Sequence, residues 1–355
     1  MTGKIRILII DDSRLIRTMI KSILARDPSL DVVGEAADPY EAREKIKQLN
    51  PDVVTLDVEM PRMDGLSFLE KIMSLRPMPV IMLSTLTQKG TDVTLRALEL
   101  GAVDYVAKPL DQNFDTIGTE LIAKIKIAST ANIQPGGKAH STNQTLKSLP
   151  AIPRCTKKLI AIGASTGGIE SLYEIILRLP ANCPPVVIAQ HISKGFSARF
   201  ALRVNKVAPV RVKEAEHGEI LETGTVYMGQ GGQHLTINKT PRGLVCQITE
   251  DTAEENYRPS VDRLFHSVVT AVGATAVGVI LTGMGKDGAK GLMAMRAAGA
   301  VTLGQDEASA IVYGMPKAAM LIGAVERQVA LCHMAREIIA SCVGKPMIRK
   351  AGSHG

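Results

Sequence analysis

The stretch "IRILIIDDSRLIRTMIKSILARD", residues 5–27, decides the class of fold. Residues 5–10 form a mainly apolar run of strand length, which is typical of a buried strand. From Ser13 onward the apolar residues recur at helical spacing, and Ser13 is placed to cap that helix. A buried strand followed at once by an amphipathic helix predicts a parallel sheet that is covered by helices.

The same alternation continues to about residue 130. Further strands are predicted in "DVVGEAA", "DVVTLD", "PVIMLS" and "AVDYVAKP". Helices are predicted at 39–49, 65–75, 91–100 and 114–130. Strand–helix units that repeat in this way indicate a doubly wound parallel sheet, so we expect a first α/β domain over residues 1–130.

A second α/β series is predicted over residues 158–343. Apolar strands are expected at 158–163, 185–190, 276–281 and 300–303, and helices at 167–178, 260–272, 288–298 and 327–341. Residues 210–248 alternate apolar and polar side chains between Gly, Asn and Pro turns, which predicts short antiparallel strands. The second domain is therefore expected to be a doubly wound, mainly parallel sheet with a short antiparallel portion.

Two segments fall outside these domains. Residues 131–157 are rich in Pro, Gly, Ser, Thr and Asn, which indicates an interdomain linker. Residues 131–158 carry five basic residues and no acidic residue, and the tail 344–355 carries three basic residues and no acidic residue. Most of the net charge of +7 therefore lies in a linker and a tail that we expect to be disordered, and we expect no nucleic-acid partner.

Composition also limits the compartment. The chain has no apolar run of about 18 residues or more, which predicts that nothing inserts into a membrane. The first strand is cut off by two aspartates and is too short to be a secretory signal. The five cysteines are scattered and form no C-x-x-C pair, which fits a reducing cytosol and argues against a zinc site. We expect a cytoplasmic protein.

Charged and polar side chains end the strands of the first domain. Asp11 and Asp12 follow the first strand, Asp57 the third, Ser84 the fourth and Lys108 the fifth. Parallel sheets bind ligands beyond these strand ends, and closely packed carboxylates need a cation such as Mg²⁺. Asp57 is then placed to accept a phosphoryl group as an acyl phosphate, whose oxygens Lys108 and Ser84 would hold. The alternative is that the two neighbouring aspartates cap helices and that the lysine forms a surface ion pair.

The second domain carries a serine at a glycine-rich turn. Residues 163–167 of "LIAIGASTGGIESL" match G-x-S-x-G, in which the glycines permit a sharp strand-to-helix turn that exposes Ser165. Main-chain N–H groups at the start of the following helix are placed to stabilise an oxyanion. Glycine-rich turns after strands also bind phosphates, so the motif alone leaves a nucleophile and a phosphate site open.

A base and an acid favour the nucleophile. Among the seven histidines, His191 alone ends an apolar strand, and Asp287 follows another strand in "GMGKDG". Together with Ser165 they are expected at one carboxyl edge of the sheet, as nucleophile, general base and orienting acid. The alternative makes the histidine a polar strand end and the aspartate a helix cap. The chain order Ser, His, Asp differs from the Ser, Asp, His order of α/β-hydrolases.

The first domain resembles a response-regulator receiver domain. The resemblance covers residues 4–125 and rests on "ILIIDDSRLIR", "DVVTLDVEMPRMDGLSFLE", "VIMLST" and "DYVAKP". It implies a flavodoxin-like (βα)5 fold and phosphorylation of Asp57 by a partner histidine kinase. It also implies Mg²⁺ held by Asp12, Asp57 and the main-chain carbonyl of Glu59, with Asp11 supporting the ion, and a cis peptide bond between Lys108 and Pro109.

The second domain resembles the catalytic domain of the chemotaxis-receptor glutamate methylesterases, the CheB family. The resemblance covers residues 158–341 and rests on "AIGASTGG", "VVIAQHI", "YRPSVDRLF", "GVILTGMGKDG" and "DEASAIVYGMPKAA". It implies that the chain hydrolyses glutamate γ-methyl esters on methyl-accepting receptors and releases methanol, with receptor glutamine deamidation as a second activity of some members. It implies no cofactor for the esterase reaction.

The family resemblance also assigns roles within the site and a mode of regulation. It makes Ser165, His191 and Asp287 the catalytic triad, and it makes Thr166 and the Met284 main-chain amide the oxyanion support. It further implies that the unphosphorylated receiver covers the serine and that an acyl phosphate weakens this cover.

Three other outputs compete with the esterase. A DNA-binding regulator needs a basic helix-turn-helix module, whereas residues 159–343 are near neutral and α/β. A nucleotide-binding module needs G-x-x-x-x-G-K-[ST], which neither glycine-rich turn matches. A binding protein without enzymatic activity has no need of the intact serine, histidine and aspartate.

Overall fold

The computed structural model describes most of both predicted domains. The described residues are 3–60, 63–85, 88–108, 115–133, 148–151, 155, 157–250 and 257–343. The expected disorder of the tail 344–355, most of the predicted linker and the expected cis bond at Pro109 lie outside these residues. The predicted domain boundaries therefore stay predictions.

The first domain is a five-stranded parallel sheet in the order β2-β1-β3-β4-β5. Its strands are β1 (Ile5–Ile10), β2 (Leu30–Ala36), β3 (Val53–Asp57), β4 (Val80–Thr85) and β5 (Asp104–Lys108). Its helices are α1 (Arg14–Leu24), α2 (Pro39–Leu49), α3 (Gly65–Leu75), α4 (Gln88–Glu99) and α5 (Asp115–Ala128). The Ser13 hydroxyl accepts a hydrogen bond from the Ile16 main-chain N–H and so caps α1, as predicted. The prediction of five strand–helix units is confirmed.

The second domain contains a seven-stranded parallel sheet in the order β14-β13-β12-β6-β7-β9-β8 and a separate hairpin of β10 and β11. Its strands are β6 (Leu159–Ala164), β7 (Val186–Gln190), β8 (Arg211–Glu214), β9 (Thr225–Met228), β10 (His234–Thr240), β11 (Gly243–Thr249), β12 (Ala276–Ile280), β13 (Val301–Gln305) and β14 (Arg327–Val329). Its helices are α6 (Gly168–Ile176), α7 (Phe196–Asn205), α8 (Val261–Val272), α9 (Ala289–Ala297), α10 (Met315–Leu321) and α11 (Leu331–Cys342).

The prediction of antiparallel strands over residues 210–248 is right for one hairpin and wrong for the rest. β10 and β11 pair antiparallel, from His234 opposite Thr249 to Thr240 opposite Gly243. β8 and β9 instead run parallel to each other and extend the main sheet beyond β7. α7, a helix that the sequence analysis did not predict, makes the crossover that sets β8 parallel to β7. The connection over residues 215–224 then returns the chain, so that β9 runs in the same direction between them.

The predicted helix over 327–341 is also corrected. Its first three residues form the edge strand β14, which pairs with β13, and the helix α11 begins only at Leu331. Two of the three residues of β14 are exposed, so the strand carries no apolar run for a sequence reading to detect. The short helix α10 was likewise not predicted.

The centre of the second sheet positions the functional residues. β6 lies between β12 and β7, and all three strands run parallel and are fully buried. Their carboxyl ends therefore meet at one edge of the sheet, which is where parallel sheets bind ligands. Among the described residues, no helix is long and apolar enough to cross a membrane.

Candidate active site

Ser165 follows β6 directly and starts the turn into α6. Gly167, the last glycine of the G-x-S-x-G motif, has a φ of +76°, a conformation that side chains with a Cβ rarely adopt. A Cβ on Gly163 would lie 2.1 Å from the Val261 side chain, and a Cβ on Gly168 would lie 2.1 Å from Gln190 Oε1. One glycine therefore allows the turn, while the other two allow α8 and β7 to approach it closely.

Three side chains form a hydrogen-bonded chain at this edge. The Ser165 Oγ lies 3.1 Å from His191 Nδ1, and His191 Nε2 lies 2.8 Å from Asp287 Oδ2. The serine and the aspartate are each 8% exposed. The order of contacts is that of a nucleophile, a base and an orienting carboxylate.

The two imidazole nitrogens have defined roles in this arrangement. Because a carboxylate only accepts hydrogen bonds, Nε2 of His191 carries the proton and donates to Asp287. Nδ1 is then left as the acceptor for the Ser165 hydroxyl. This is the reverse of the assignment in chymotrypsin, where Nε2 receives the proton of the serine.

The side chain of Asp287, which precedes α9 in sequence, lies against the N-terminus of α8. Its carboxylate accepts hydrogen bonds from the main-chain N–H groups of Val261 and Asp262, at 2.8 and 2.9 Å, and from the Ser260 hydroxyl at 3.2 Å. Burial alone would raise the pKa of this carboxyl, but the hydrogen bonds from His191 and the two amides outweigh burial and lower it. The aspartate is therefore held as the anion beside the imidazole.

Gln190 joins the serine turn to the histidine turn. This residue is 2% exposed, and its Nε2 donates to the main-chain oxygens of Ser165 and His191 at 2.9 and 3.0 Å. Its Oε1 is buried and has no hydrogen-bond partner among the described residues. The amide thus fixes the nucleophile and the base relative to each other, a role that the sequence analysis did not predict.

The two predicted oxyanion-supporting residues flank the serine. Thr166 follows it in sequence, and the main-chain amide of the next residue is the usual first oxyanion donor of such a turn. Met284 lies in the turn after β12, next to Gly283, at which a Cβ would lie 2.6 Å from the Ser165 Cβ. The Met284 side chain itself is exposed.

The first domain borders the same cleft. Asp104 of β5 accepts a 2.6 Å hydrogen bond from the Thr166 hydroxyl, and the Tyr105 hydroxyl accepts one from the Ser193 main-chain N–H at 3.2 Å. The Tyr105 ring stacks on Phe196 with ring centroids 4.4 Å apart. The first domain therefore contacts both the residue that follows Ser165 and the loop that follows His191.

A half-buried carboxyl lines the cleft between the two domains. Glu170, in the first turn of α6, lies there together with Ser165, His191 and Asp104. Burial, with a smaller effect of the neighbouring Glu174 charge, raises the pKa of Glu170 to about 7. This acid therefore carries little of its charge below neutral pH.

A second set of polar residues lies at the carboxyl edge of the first sheet. Lys108 Nζ contacts Asp57 Oδ1 at 2.7 Å and Asp11 Oδ2 at 2.9 Å. The Ser84 hydroxyl accepts a 2.6 Å hydrogen bond from Thr94. Burial raises the pKa of Asp57 to about 6, and the neighbouring Asp11 adds to this, against the opposing effect of Lys108.

The acidic residues of this set suit a hard cation. One carboxylate oxygen from each of Asp11, Asp12 and Asp57 lies within 4.8 Å of the others. Mg²⁺ takes oxygen ligands of this kind, and it would offset the mutual repulsion of the carboxylates. The Glu59 main-chain N–H also faces Asp57 and donates to it, so this side of the carboxylate is already occupied.

Comparison with known proteins defines the family. Residues 160–338 match the CheB methylesterase family model, and residues 7–116 match the response regulator receiver domain model. A Caulobacter vibrioides protein named "Protein-glutamate methylesterase/protein-glutamine glutaminase 1" is 53% identical over 95% of this chain and 98% of its own length. The chain belongs to the CheB methylesterase family.

Two further relatives agree with the family assignment. The Nitrosomonas europaea protein-glutamate methylesterase/protein-glutamine glutaminase is 49% identical over 96% of this chain and 97% of its own length. The crystal structure of the Thermotoga maritima CheB methylesterase catalytic domain aligns with a TM-score of 0.50 and 33% identity, over 52% of this chain and 98% of that domain. The CheB fold of the second domain is thus established independently of the active-site geometry.

Sequence reasoning missed several residues of the CheB site. Ser260 and Gln190 contact the predicted triad, Asp104 contacts Thr166, and Tyr257 stacks on His191. Two of them lie in "YRPSVDRLF", a motif used for the family resemblance but given no role. Its helix start at Ser260 was a usable signal, because helix N-termini bind carboxylates. For Asp104 no signal existed, because its partner lies in the other domain.

Proposed function

We propose that this protein is a phosphorylation-activated serine esterase that hydrolyses glutamate γ-methyl esters on chemotaxis receptors, with glutamine deamidation as a second reaction. The observation that carries the proposal is the hydrogen-bonded chain from Ser165 through His191 to Asp287. The printed names of the curated relatives supply the substrate and both reactions.

The first half-reaction forms an acyl-enzyme. The Ser165 Oγ attacks the side-chain carbonyl carbon of the substrate while His191 Nδ1 takes the hydroxyl proton. The resulting imidazolium is stabilised by the Asp287 anion at Nε2. The imidazolium then returns its proton to the leaving group, so that methanol departs from an ester and ammonia from an amide.

The second half-reaction regenerates the enzyme. A water molecule loses a proton to His191 and attacks the acyl carbon, and the serine oxygen leaves as its hydroxyl after it recovers that proton. The product is a glutamate side chain from either substrate. The main-chain amides of Thr166 and Met284 would stabilise the oxyanion in both halves, and neither half needs a cofactor.

The receiver would restrain this reaction when it is unphosphorylated. Asp104 holds the Thr166 hydroxyl, and Arg203 of α7 forms a 2.6 Å ion pair with Glu99 of α4. A substrate helix that approaches Ser165 would have to displace these contacts. Phosphorylation at Asp57 would change the environment of Lys108 and Ser84, and so bias the receiver toward a position that frees the cleft.

Asp57 is the proposed phosphoacceptor, and a chemotaxis histidine kinase is the proposed donor. Asp11, Asp12 and Asp57 would hold Mg²⁺, and the predicted Glu59 carbonyl would complete the protein ligands. When bound, the ion supplies positive charge that screens the carboxylate from an incoming phosphoryl group. Lys108 supplies a further fixed positive charge at Asp57 Oδ1. The cytoplasmic location of the protein stays a prediction.

Methanol release from methyl-labelled receptor tests the proposal. Full-length protein is compared with Ser165→Ala, each with and without a small phosphodonor and Mg²⁺. We expect the phosphodonor to raise methanol release by wild type, and the variant to lose at least about 10³-fold in turnover, since a triad acts as a unit. Ser74→Ala, which removes an exposed hydroxyl on α3, is the matched control and should behave as wild type. Turnover by the Ser165 variant close to that of wild type would refute the esterase mechanism.

A further inference from the structure

The segment 257–262 contacts both partners of the serine. Ser260, Val261 and Asp262 donate to the Asp287 carboxylate. Tyr257, at the start of the same segment, contacts His191 instead. The segment therefore reaches the base and the acid from one direction.

The rings of Tyr257 and His191 are stacked face to face. Their centroids are 4.3 Å apart and their planes differ by 3°. The phenol extends to the turn after β12, where a Cβ on Gly285 would lie 3.2 Å from the Tyr257 hydroxyl. Gly285 has a φ of +83° and follows Met284. Tyr257 thus fills the space between the imidazole and the turn that carries the proposed oxyanion amide.

The ionisable groups around His191 come from four elements. Asp287 faces Nε2 from the turn after β12, and Glu170 of α6 lines the cleft on the serine side. Asp104 and Tyr105 of β5 line the same cleft from the receiver. Tyr257 is the group that places its ring face against the imidazole.

We propose that Tyr257 is a positioning residue for His191, which fixes the plane of the imidazole and stabilises the imidazolium formed when Nδ1 takes the Ser165 proton. The inference rests on the proposed esterase mechanism and adds a residue to it. The face of an aromatic ring carries partial negative charge, so it attracts a cation placed within about 6 Å of its centroid. A neutral imidazole gains less from the same contact, and the stack therefore favours the transition state over the ground state.

The pH dependence of turnover separates this role from simple packing. If the ring stabilises the imidazolium, its removal lowers the pH at which His191 gains its proton. The acidic limb of kcat/KM, which reports the base of the free enzyme, then moves to lower pH. Turnover on the plateau falls as well, because the imidazolium in the transition state loses the same stabilisation. A ring that only fills space would lower turnover without moving the limb.

The experiment compares four full-length proteins with methyl-labelled receptor and phosphodonor across pH. They are wild type, Tyr257→Leu, Tyr257→Phe and Tyr257→Trp. Each rate is divided by the wild-type rate at the same pH, which removes the pH dependence of phosphorylation. For Tyr257→Leu we expect a plateau loss of about 3- to 30-fold and an acidic limb lower by about 0.5 to 1 pH unit. The Phe and Trp variants keep a ring face and should stay near wild type on both measures.

Two controls keep the result interpretable. Tyr313→Leu removes another phenol from the same domain, whose hydroxyl contacts Met320 and Gln328, so its acidic limb should match wild type. Labelling of Ser165 by a fluorophosphonate reports the reactive serine without receptor binding. It should slow in Tyr257→Leu by the same factor as turnover, which distinguishes a site effect from weaker receptor binding.

The outcomes are distinct. An acidic limb of Tyr257→Leu that coincides with wild type would overturn the proposal, as would a Phe variant as impaired as the Leu variant. In either case an inactive Ser165→Ala leaves the esterase mechanism standing. An active Ser165→Ala overturns the mechanism itself, whatever the Tyr257 variants do.

Discussion

Two buried aspartates at the carboxyl edges of the two parallel sheets behave in opposite ways. Asp57 is 4% exposed and Asp287 is 8% exposed, so both have lost most of their water. Burial raises the pKa of Asp57 to about 6, whereas the pKa of Asp287 lies below its usual value despite burial. The Asp287 carboxylate accepts hydrogen bonds from two main-chain amides of a helix N-terminus, from a hydroxyl and from an imidazole. The Asp57 carboxylate instead shares the ammonium of one lysine with a second carboxylate.

The difference shows how one kind of location serves two kinds of chemistry. A strand end brings a carboxylate into a cleft, but the neighbouring elements decide whether its charge is compensated. The compensated anion at Asp287 can stabilise an imidazolium without taking its proton. The poorly compensated anion at Asp57 would be stabilised by a divalent cation, and its charge would change if a phosphoryl group were attached.

The largest expected effect separates the two aspartates by activity. In Asp287→Asn the amide cannot accept all the hydrogen bonds that the carboxylate accepts, and the imidazolium loses its counter-charge. We expect methanol release to fall by about 10³- to 10⁴-fold with or without phosphodonor. Asp57→Asn should keep the unphosphorylated rate and lose only the response to phosphodonor. If Asp287→Asn released methanol at a rate within tenfold of wild type, the contrast between the two aspartates would be wrong, because neither carboxylate would then be needed for catalysis.

A smaller effect tests how the two sites are connected. β5 carries Lys108, which touches Asp57, at one end and Asp104, which touches Thr166, at the other. Asp104→Asn weakens a charge-assisted hydrogen bond, so we expect the unphosphorylated rate to rise about tenfold while the phosphorylated rate changes little.

The control for that variant is Arg211→Ala. Arg211 lies on β8, and its substitution removes an exposed ion pair with Glu222. Such a pair contributes little to stability in either state of the enzyme. If the unphosphorylated rate of Asp104→Asn stays at the wild-type value, the hydrogen bond to Thr166 does not restrain the enzyme.

The last expected effect is on stability and has opposite signs at the two sites. The raised folded-state pKa of Asp57 means that the folded protein binds more protons than the unfolded chain between about pH 4 and 6, so stability falls as pH rises through that window. Asp57→Asn should therefore stabilise the receiver at pH 7 by up to about 3 kcal/mol, and the gain should fade toward pH 4.

Asp287→Asn should behave in the reverse way. Because the folded-state pKa of Asp287 is lowered, its stabilising contribution is present above the unfolded pKa and is lost as pH falls through the folded pKa. The variant should be less stable than wild type at pH 7 by about 1–3 kcal/mol, and this difference in stability should shrink in acid. Urea unfolding at several pH values measures both variants. If both substitutions changed the free energy of unfolding in the same direction at pH 7, the environments assigned to Asp57 and Asp287 would be wrong.

The sequence by itself determined the parts of this protein that depend on local pattern. Apolar runs and helical spacing were sufficient for the five receiver units and for β6, β7 and β12, because buried parallel strands are apolar along their whole length. Since the carboxyl ends of such strands meet at one edge, the same pattern sufficed to nominate Ser165, His191 and Asp287 as neighbours.

Only the tertiary structure decided the contacts between segments distant along the chain. The position of β9 between β7 and β8 depends on the pairing of three separate segments, and the charge state of Asp287 depends on α8, which begins 26 residues before it. The contact of Asp104 with Thr166 joins residues 62 apart along the chain, and the stack of Tyr257 on His191 joins residues 66 apart. Sequence periodicity reports how one segment faces the core, and it carries no information on which distant side chain completes a hydrogen bond or a ring stack.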